Sequence, residues 1–248
     1  MRILVVADIH GNRAALEAIR EPFDVCLCLG DIVDYGPEPG ACIEWVRANA
    51  THCVRGNHDH GVAQNVEVQG AAGFRYLTAV TRPLTVQSLT ADQRRFLADM
   101  PTSQILNLDG KRFLLVHASP RDPMDEYMLA EPTEWAPLLK GLPVDFVLVG
   151  HTHQLYKLDV NGITVVNPGS VGLTRNGDPR VAYAVIEDGN VELKRVEYPV
   201  EETVAALDGF VSDPQARKML ADIYRGRGLV AKWAKPATAG ETPTEPTG

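Results

Sequence analysis

The sequence lacks most of the features that mark special classes of protein. Cysteine is scarce: Cys26, Cys28, Cys42 and Cys53 all fall in the first quarter, with no Cys-x-x-Cys pair, which excludes a disulfide frame as the basis of the fold. Cys26 and Cys28 lie two apart in an apolar run, so they share one strand face and read as small core residues. Long hydrophobic runs are missing too. The N-terminal Met1-Arg-Ile-Leu-Val-Val-Ala7 is short and is followed at once by Asp8 and His10, so it reads as neither a signal peptide nor a membrane span, and cytoplasm is the expected compartment. Basic charge is in deficit, with 24 Lys and Arg against 32 Asp and Glu and a formal net charge of −8. That argues against a general nucleic-acid binder, which needs clustered cations for counterion release, and leaves nucleotides open as small substrates. No repeat of fixed period occurs.

What is present is an ordinary globular composition, 45% apolar and 23% charged over 248 residues, long enough for one large α/β domain or two small ones. Ile3 to Val6 reads as a buried strand, followed by a polar loop and a helical stretch from Ala14 to Ile19. The pattern recurs with a strand at Val25 to Leu29, a helix from about Glu38 to Ala48 and a short strand at His52 to Val54, which suggests a largely parallel βαβ arrangement. Gly61 to about Met100 is richer in helix formers, and Thr90-Ala-Asp-Gln93 matches an N-terminal capping box. Asp109-Gly110 separates two strand-like runs as a hairpin turn. Val144 to Val149 is another strand, and four alternating runs between Leu155 and Val196, separated by Asn161-Gly162 and Gly189-Asn190, read as a meander of hairpins. The expected organisation is one domain over residues 1–235 with a helical segment near 200–225. Residues 236–248, rich in Thr, Pro, Gly and Glu, are expected to be disordered.

The chemistry-bearing residues fall at strand ends. Of seven histidines, His10, His58, His117, His151 and His153 each follow a β-type run directly or lie in the next loop. In open α/β sheets such loops converge in one crevice beyond the carboxyl ends of the strands. Singly, the motifs are weak. Asp8-Ile-His10 is also a polar loop that can cap the next helix near Asn12, Gly30-Asp31 is also a turn signal, and His117 taken alone reads as a core histidine before a ligand. Gly150-His-Thr-His153 is more specific, because alternate residues of an extended loop bring two imidazoles to one place. Carboxylate and imidazole together suit borderline divalent ions such as manganese, iron, cobalt or zinc. A carboxylate bridging two ions at roughly 3.5 to 4 Å fits two-metal hydrolysis, in which a hydroxide attacks phosphorus in line.

The five blocks in this order resemble the calcineurin-like metallophosphoesterases, whose pattern is D-x-H, G-D-x-x-D, G-N-H-[DE], H and G-H-x-H. The resemblance spans about Met1 to Gly172. It implies a four-layer α/β/β/α sandwich with two central mixed sheets. It implies one ion held by Asp8, His10, Asp31 and His153, and a second held by Asp31, Asn57, His117 and His151, with Asp31 as the bridge. His58 would protonate the leaving alkoxide and Asp34 would orient it, with a solvated loop acid as the less favoured reading of Asp34. The protein Ser/Thr phosphatase branch follows its second Asp with a phosphate-gripping Arg, where this chain has Tyr35. The chain looks instead like the small bacterial phosphodiesterase-like branch, through Gly30-Asp-Ile-Val-Asp-Tyr-Gly-Pro37, His117-Ala-Ser-Pro120 and Asn167-Pro-Gly-Ser-Val-Gly172. Arg55 reads as a site-shaping residue or a structural ion pair. Arg121, Tyr127 and Arg175 read as surface residues in preference to substrate contacts.

The expectation is a hydrolase of small phosphate esters, diesters ahead of monoesters, using two divalent ions. Manganese leads, with iron, zinc, cobalt or nickel as alternatives. No membrane association is expected, and oligomerisation is left open. Rival readings are a protein phosphatase-like phosphomonoesterase, a non-catalytic metal-binding scaffold like a family member in a membrane-trafficking coat, and a metal-dependent nuclease, which the acidic charge disfavours.

Overall fold

Strand β1 (Arg2–Val6) is aliphatic after Arg2 because both of its faces are covered. It leads to α1 (Arg13–Glu17), β2 (Val25–Cys28), α2 (Pro39–Asn49) and β3 (His52–Cys53), and the three strands pair in parallel. Three helices follow, α3 (Asn57–Ala63), α4 (Gly73–Ser88) and α5 (Ala91–Asp99). The capping box opens α5: Thr90 Oγ accepts from the Gln93 amide at 3.2 Å, and Gln93 Oε1 accepts from the Thr90 amide at 3.1 Å. Then come β4 (Ser103–Leu108), β5 (Lys111–Val116), α6 (Pro132–Leu139), β6 (Phe146–Leu148), β7 (Leu155–Val160), β8 (Ile163–Pro168), β9 (Val181–Glu187), β10 (Asn190–Val196), α7 (Val200–Phe210) and α8 (Pro214–Tyr224). The computed structural model describes residues 1–230, so the expected disordered tail at 236–248 lies outside the described residues.

The strands form two mixed five-stranded sheets, ordered β10-β9-β1-β2-β3 and β4-β5-β6-β8-β7. The expected single meander from β7 to β10 is not what forms. β7 and β8 make a hairpin in the second sheet, where β8 runs parallel to β6, while β9 and β10 make a hairpin in the first, where β9 runs antiparallel to β1. Local turn signals fix each hairpin, but burial decides the sheet. All of β9 except Glu187 is buried, which suits a place beside β1, whereas β7 exposes part of its length at an edge. The last turn is also shifted by one residue. Asp188 and Gly189, both at positive φ, form it, rather than Gly189-Asn190.

Strand alternation builds the layers. Ile3, Val5, Leu27, Ala184 and Ile186 from one sheet meet Phe113, Leu115, Phe146 and Leu148 from the other, with Phe113 and Phe146 stacked at 4.7 Å between centroids. The opposite face of the first sheet, with Leu4, Val6, Cys26 and Cys28, packs on Leu16, Ile43, Val46 and Leu97 of the helical layer. The outer face of the second sheet, with Leu114, Val116, Val147 and Val165, is covered by Trp135 and Leu139 of α6. That helix was not foreseen in a segment carrying Pro132 and Pro137; the first of these sits in the opening turn, where proline fits. Helices α4, α7 and α8 form a further apolar cluster with Tyr35 and Leu173, which sets them beside the loops at the sheet ends. No helix among the described residues is long and apolar enough to cross a membrane.

Candidate metal centre

Five parallel strands deliver the site at their carboxyl ends. Asp8 and His10 follow β1, Asp31 and Asp34 follow β2, Asn57 and His58 open α3 after β3, His117 follows β5, and His151 and His153 follow β6. Backbone hydrogen bonds lace these loops together: the Asp8 amide donates to the Gly30 carbonyl at 3.0 Å, His10 to Asp31 at 3.0 Å, and Gly150 to His117 at 2.8 Å. Eleven non-glycine residues among those described have positive φ. Seven of these are Asp8, His10, Asp31, Asp34, Tyr35, His151 and His153, at φ between 46° and 69°. Each such residue costs on the order of 1–3 kcal/mol, and that strain is gathered where the side chains must converge. Gly56 is required by the same crowding, since a Cβ there would stand 2.1 Å from Asp31 Oδ1.

The buried side chains form two groups able to hold metal ions, Asp8 with His10 and His153, and Asp31 with His117 and His151. In the first group, His10 Nδ1 faces the Val33 carbonyl at 3.0 Å and His153 Nδ1 faces the Leu173 carbonyl, so both rings carry their proton on Nδ1. Their Nε2 lone pairs therefore point at each other across 3.2 Å. Asp8 Oδ1 lies 3.2 Å from His153 Nε2 and has no hydrogen-bond partner. Burial drives His10 down to about 3 and His153 well below its ordinary value, so neither ring gains a proton to relieve the contact. Burial pushes the Asp8 carboxyl up. Three converging lone pairs without a donor are what a divalent cation would satisfy, and the donor set fits a borderline ion.

The second group repeats the arrangement. His117 Nδ1 faces the Leu29 carbonyl at 2.8 Å, which leaves Nε2 at 3.2 Å from both Asp31 Oδ2 and Asn57 Oδ1. Burial opposes a charge on His117, but the adjoining Asp31 carboxylate outweighs it and lifts the ring to about 9; a cation would take the place of that proton. His151 Nε2 faces the Asp125 carbonyl at 3.2 Å, leaving Nδ1 as its lone-pair nitrogen, and burial lowers its pKa to about 3. Asp31 stands between the groups, with Oδ2 at 3.2 Å from His117 Nε2 and 3.9 Å from His10 Nε2, the place a bridging carboxylate would occupy. Burial opposes its charge, but His117 and His58 outweigh this and hold its carboxyl well below the usual range.

His58 stands beside both groups and is 7% exposed. Its Nδ1 bonds Asp34 Oδ2 at 2.7 Å, which leaves Nε2 for a substrate. Asp34 is fully buried, not a solvated loop acid. Its carboxyl also accepts from Arg82 Nε at 2.7 Å and lies 2.5 Å from the second Arg82 nitrogen, Nη2. Burial disfavours the Asp34 charge, but the His58 and Arg82 donors outweigh it and lower the pKa. Arg82, inside α4 and 5% exposed, has no sequence motif and escaped the sequence reading. Asp59 was also passed over as a site residue, although it stands in the Gly56-Asn-His-Asp block: its buried carboxylate accepts from the Asp31, Ile32 and Gly56 amides and ties the β2 loop to the β3 loop. Asn167 and Ser170 hold the remaining loops, Asn167 Nδ2 donating to the Gly150 carbonyl at 2.7 Å and Ser170 Oγ to the Asp8 carbonyl at 2.8 Å.

The nine anticipated residues, Asp8, His10, Asp31, Asp34, Asn57, His58, His117, His151 and His153, are thus brought into one place. The alternative for Asp8 as a helix cap does not hold, since Asn12 caps α1 by accepting from Ala15 at 3.1 Å. Arg55 is structural, donating to the Ala98 carbonyl at the end of α5. Arg121 is exposed and pairs with Glu126. Tyr127, 47% exposed, lays its ring 4.2 Å from that of His151. Arg175, expected at the surface, is only 5% exposed.

Known proteins resemble this chain in sequence and in fold. The chain is 30% identical over 224 residues, 81% of its length and 89% of the relative's, to an uncharacterized protein of Methanocaldococcus jannaschii. It is similar to the crystal structure of a metallophosphoesterase from Sphaerobacter thermophilus, with a TM-score of 0.74, 32% identity and coverage of 89% of this chain and 98% of that one. A hypothetical protein from Pyrococcus horikoshii shares the fold, with a TM-score of 0.76, 20% identity and coverage of 88% and 97%. Residues 1–189, which carry every loop of the site, match the calcineurin-like phosphoesterase superfamily domain, and the chain belongs to that family.

Proposed function

We propose that the protein hydrolyses small phosphate esters with two divalent ions, phosphodiesters in preference to monoesters, and that it does so in the cytoplasm. The observation that carries this reading is the pair of buried acid-imidazole groups, with Asp31 of the second also facing His10 of the first. Bound there, two ions, manganese foremost with iron, zinc, cobalt or nickel as alternatives, would supply a hydroxide nucleophile at neutral pH and neutralise the phosphoryl oxygens. Asp8, His10 and His153 would hold one ion, Asn57, His117 and His151 the other, and Asp31 both. His58 delivers a proton from Nε2 to the leaving alkoxide, which matters most for poor leaving groups. Asp34 fixes the His58 ring, and Arg82 keeps Asp34 ionised. The diester preference follows the likeness to the bacterial phosphodiesterase-like branch.

The test is a panel of mono- and diester chromogenic substrates assayed with manganese, nickel, cobalt, zinc or magnesium. Hydrolysis with manganese, faster on diesters, is expected. A protein that takes up no metal and cleaves no member of the panel would overturn the reading.

A further inference from the structure

The loop between β8 and β9 carries a buried cation for which the metal groups and the His58 acid give no use. Arg175 is 5% exposed and forms no ion pair with any described carboxylate. Its guanidinium lies 4.6 Å over the Phe74 ring, one Nη donates to the Tyr127 hydroxyl at a long 3.3 Å, and Nε has no partner. Buried arginines are ordinarily satisfied by a carboxylate or several carbonyls, so a guanidinium held with donors to spare is poised for an anion that comes and goes.

The surroundings place that anion at the metal groups. Two residues before Arg175, the Leu173 carbonyl accepts from His153 Nδ1, and the Tyr127 ring that Arg175 steadies packs on His151. Tyr35, where another branch of the family carries a phosphate-gripping arginine, supplies no charge here: it is buried, and its hydroxyl accepts from Thr78 Oγ at 2.9 Å. A planar guanidinium with free N–H groups matches two oxygens of a tetrahedral phosphoryl group, which a lysine ammonium cannot do.

We propose that Arg175 is the phosphate-binding residue of this site, gripping the non-bridging oxygens of the substrate's phosphoryl group from the β8–β9 loop, with Phe74 and Tyr127 holding its guanidinium in place. This rests on the proposed function for the identity of the ligand, but binding of inorganic phosphate tests it separately. The manganese-loaded protein is titrated with inorganic phosphate by calorimetry, and phosphate is used as a competitive inhibitor wherever hydrolysis is seen. Arg175→Gln is expected to weaken phosphate binding at least tenfold and to raise KM similarly, with manganese content and melting temperature unchanged. Arg175→Lys is expected to recover only part of the affinity. If Arg175→Gln fails to fold, Arg175→Lys decides: full phosphate affinity in that variant would overturn the proposal. Unchanged phosphate affinity in a folded Arg175→Gln would overturn it as well, as would affinity lost only in step with manganese. A wild-type protein that binds phosphate through Arg175 and hydrolyses nothing would uphold this inference while refuting the proposed function.

Discussion

His58, Asp34 and Arg82 form one hydrogen-bonded unit, with Asp34 Oδ2 accepting from both neighbours. Its members should act together. Replacing His58 by Ala is expected to lower kcat about 10²- to 10⁴-fold, most on poor leaving groups, with metal content unchanged. Arg82→Gln should cost less, because Arg82 touches no substrate and only positions the acid. In the double variant the Arg82 change should add little to the loss from His58→Ala; effects that multiply would show that Arg82 works through something else. His151 and His153 were legible from a local motif, whereas Asp8, His10, Asp31, Asn57 and His117 were legible only through the joint order of their blocks beyond strand ends and the family resemblance that this order carries. Arg82 was not, because its reach to Asp34 depends on α4 crossing the site and on Gly61 leaving room, where a Cβ would stand 1.9 Å from an Arg82 nitrogen. Arg175 was misread for a related reason. Its burial is conferred by Phe74, about a hundred residues away, and nothing in its own neighbourhood announces it.

At the level of elements, the turns and caps were readable where a short-range rule applies. Asp109-Gly110 and Asn161-Gly162 both take positive φ at both positions, as their hairpins require, and the Thr90 box caps α5. Sheet membership was not readable, because β7–β8 and β9–β10 are separated only by burial, and residues 169–180 carry the chain from one sheet to the other past the site. A polar clamp then joins strands of the first sheet. Glu21 accepts from Arg2 on β1, from Tyr183 on β9 at 3.0 Å and from Lys194 on β10 at 3.1 Å. Burial raises the Glu21 pKa, but these donors outweigh it and hold the folded-state value below the ordinary one. The clamp's stabilisation is therefore fully present above the usual glutamate range near about 4.3 and is lost as pH falls through the folded-state value. Glu21→Gln should destabilise the protein by about 1–3 kcal/mol at pH 7, and the gap in melting temperature should close toward pH 3. A gap that stays constant across that range would contradict this assignment.

For the whole molecule, two sheets packed face to face bring the carboxyl ends of five parallel strands to one edge, and the strained loops there are held by the rest of the fold. Positive φ at seven site residues, one unpaired acceptor on Asp8 and facing imidazole lone pairs are costs that a metal-free protein carries and that bound cations would offset. The acidic balance of the chain is compatible with an anionic substrate, because two bound divalent ions would add positive charge at this edge, beside the buried Arg82 and Arg175. The central claim is that the two groups around Asp31 work as one bimetallic site. It is tested most directly by adding manganese stepwise to the metal-free protein while following hydrolysis of bis(p-nitrophenyl) phosphate. The rate should rise to a plateau at two equivalents per chain, one for each group; saturation at one equivalent, or no turnover at any loading, would contradict it.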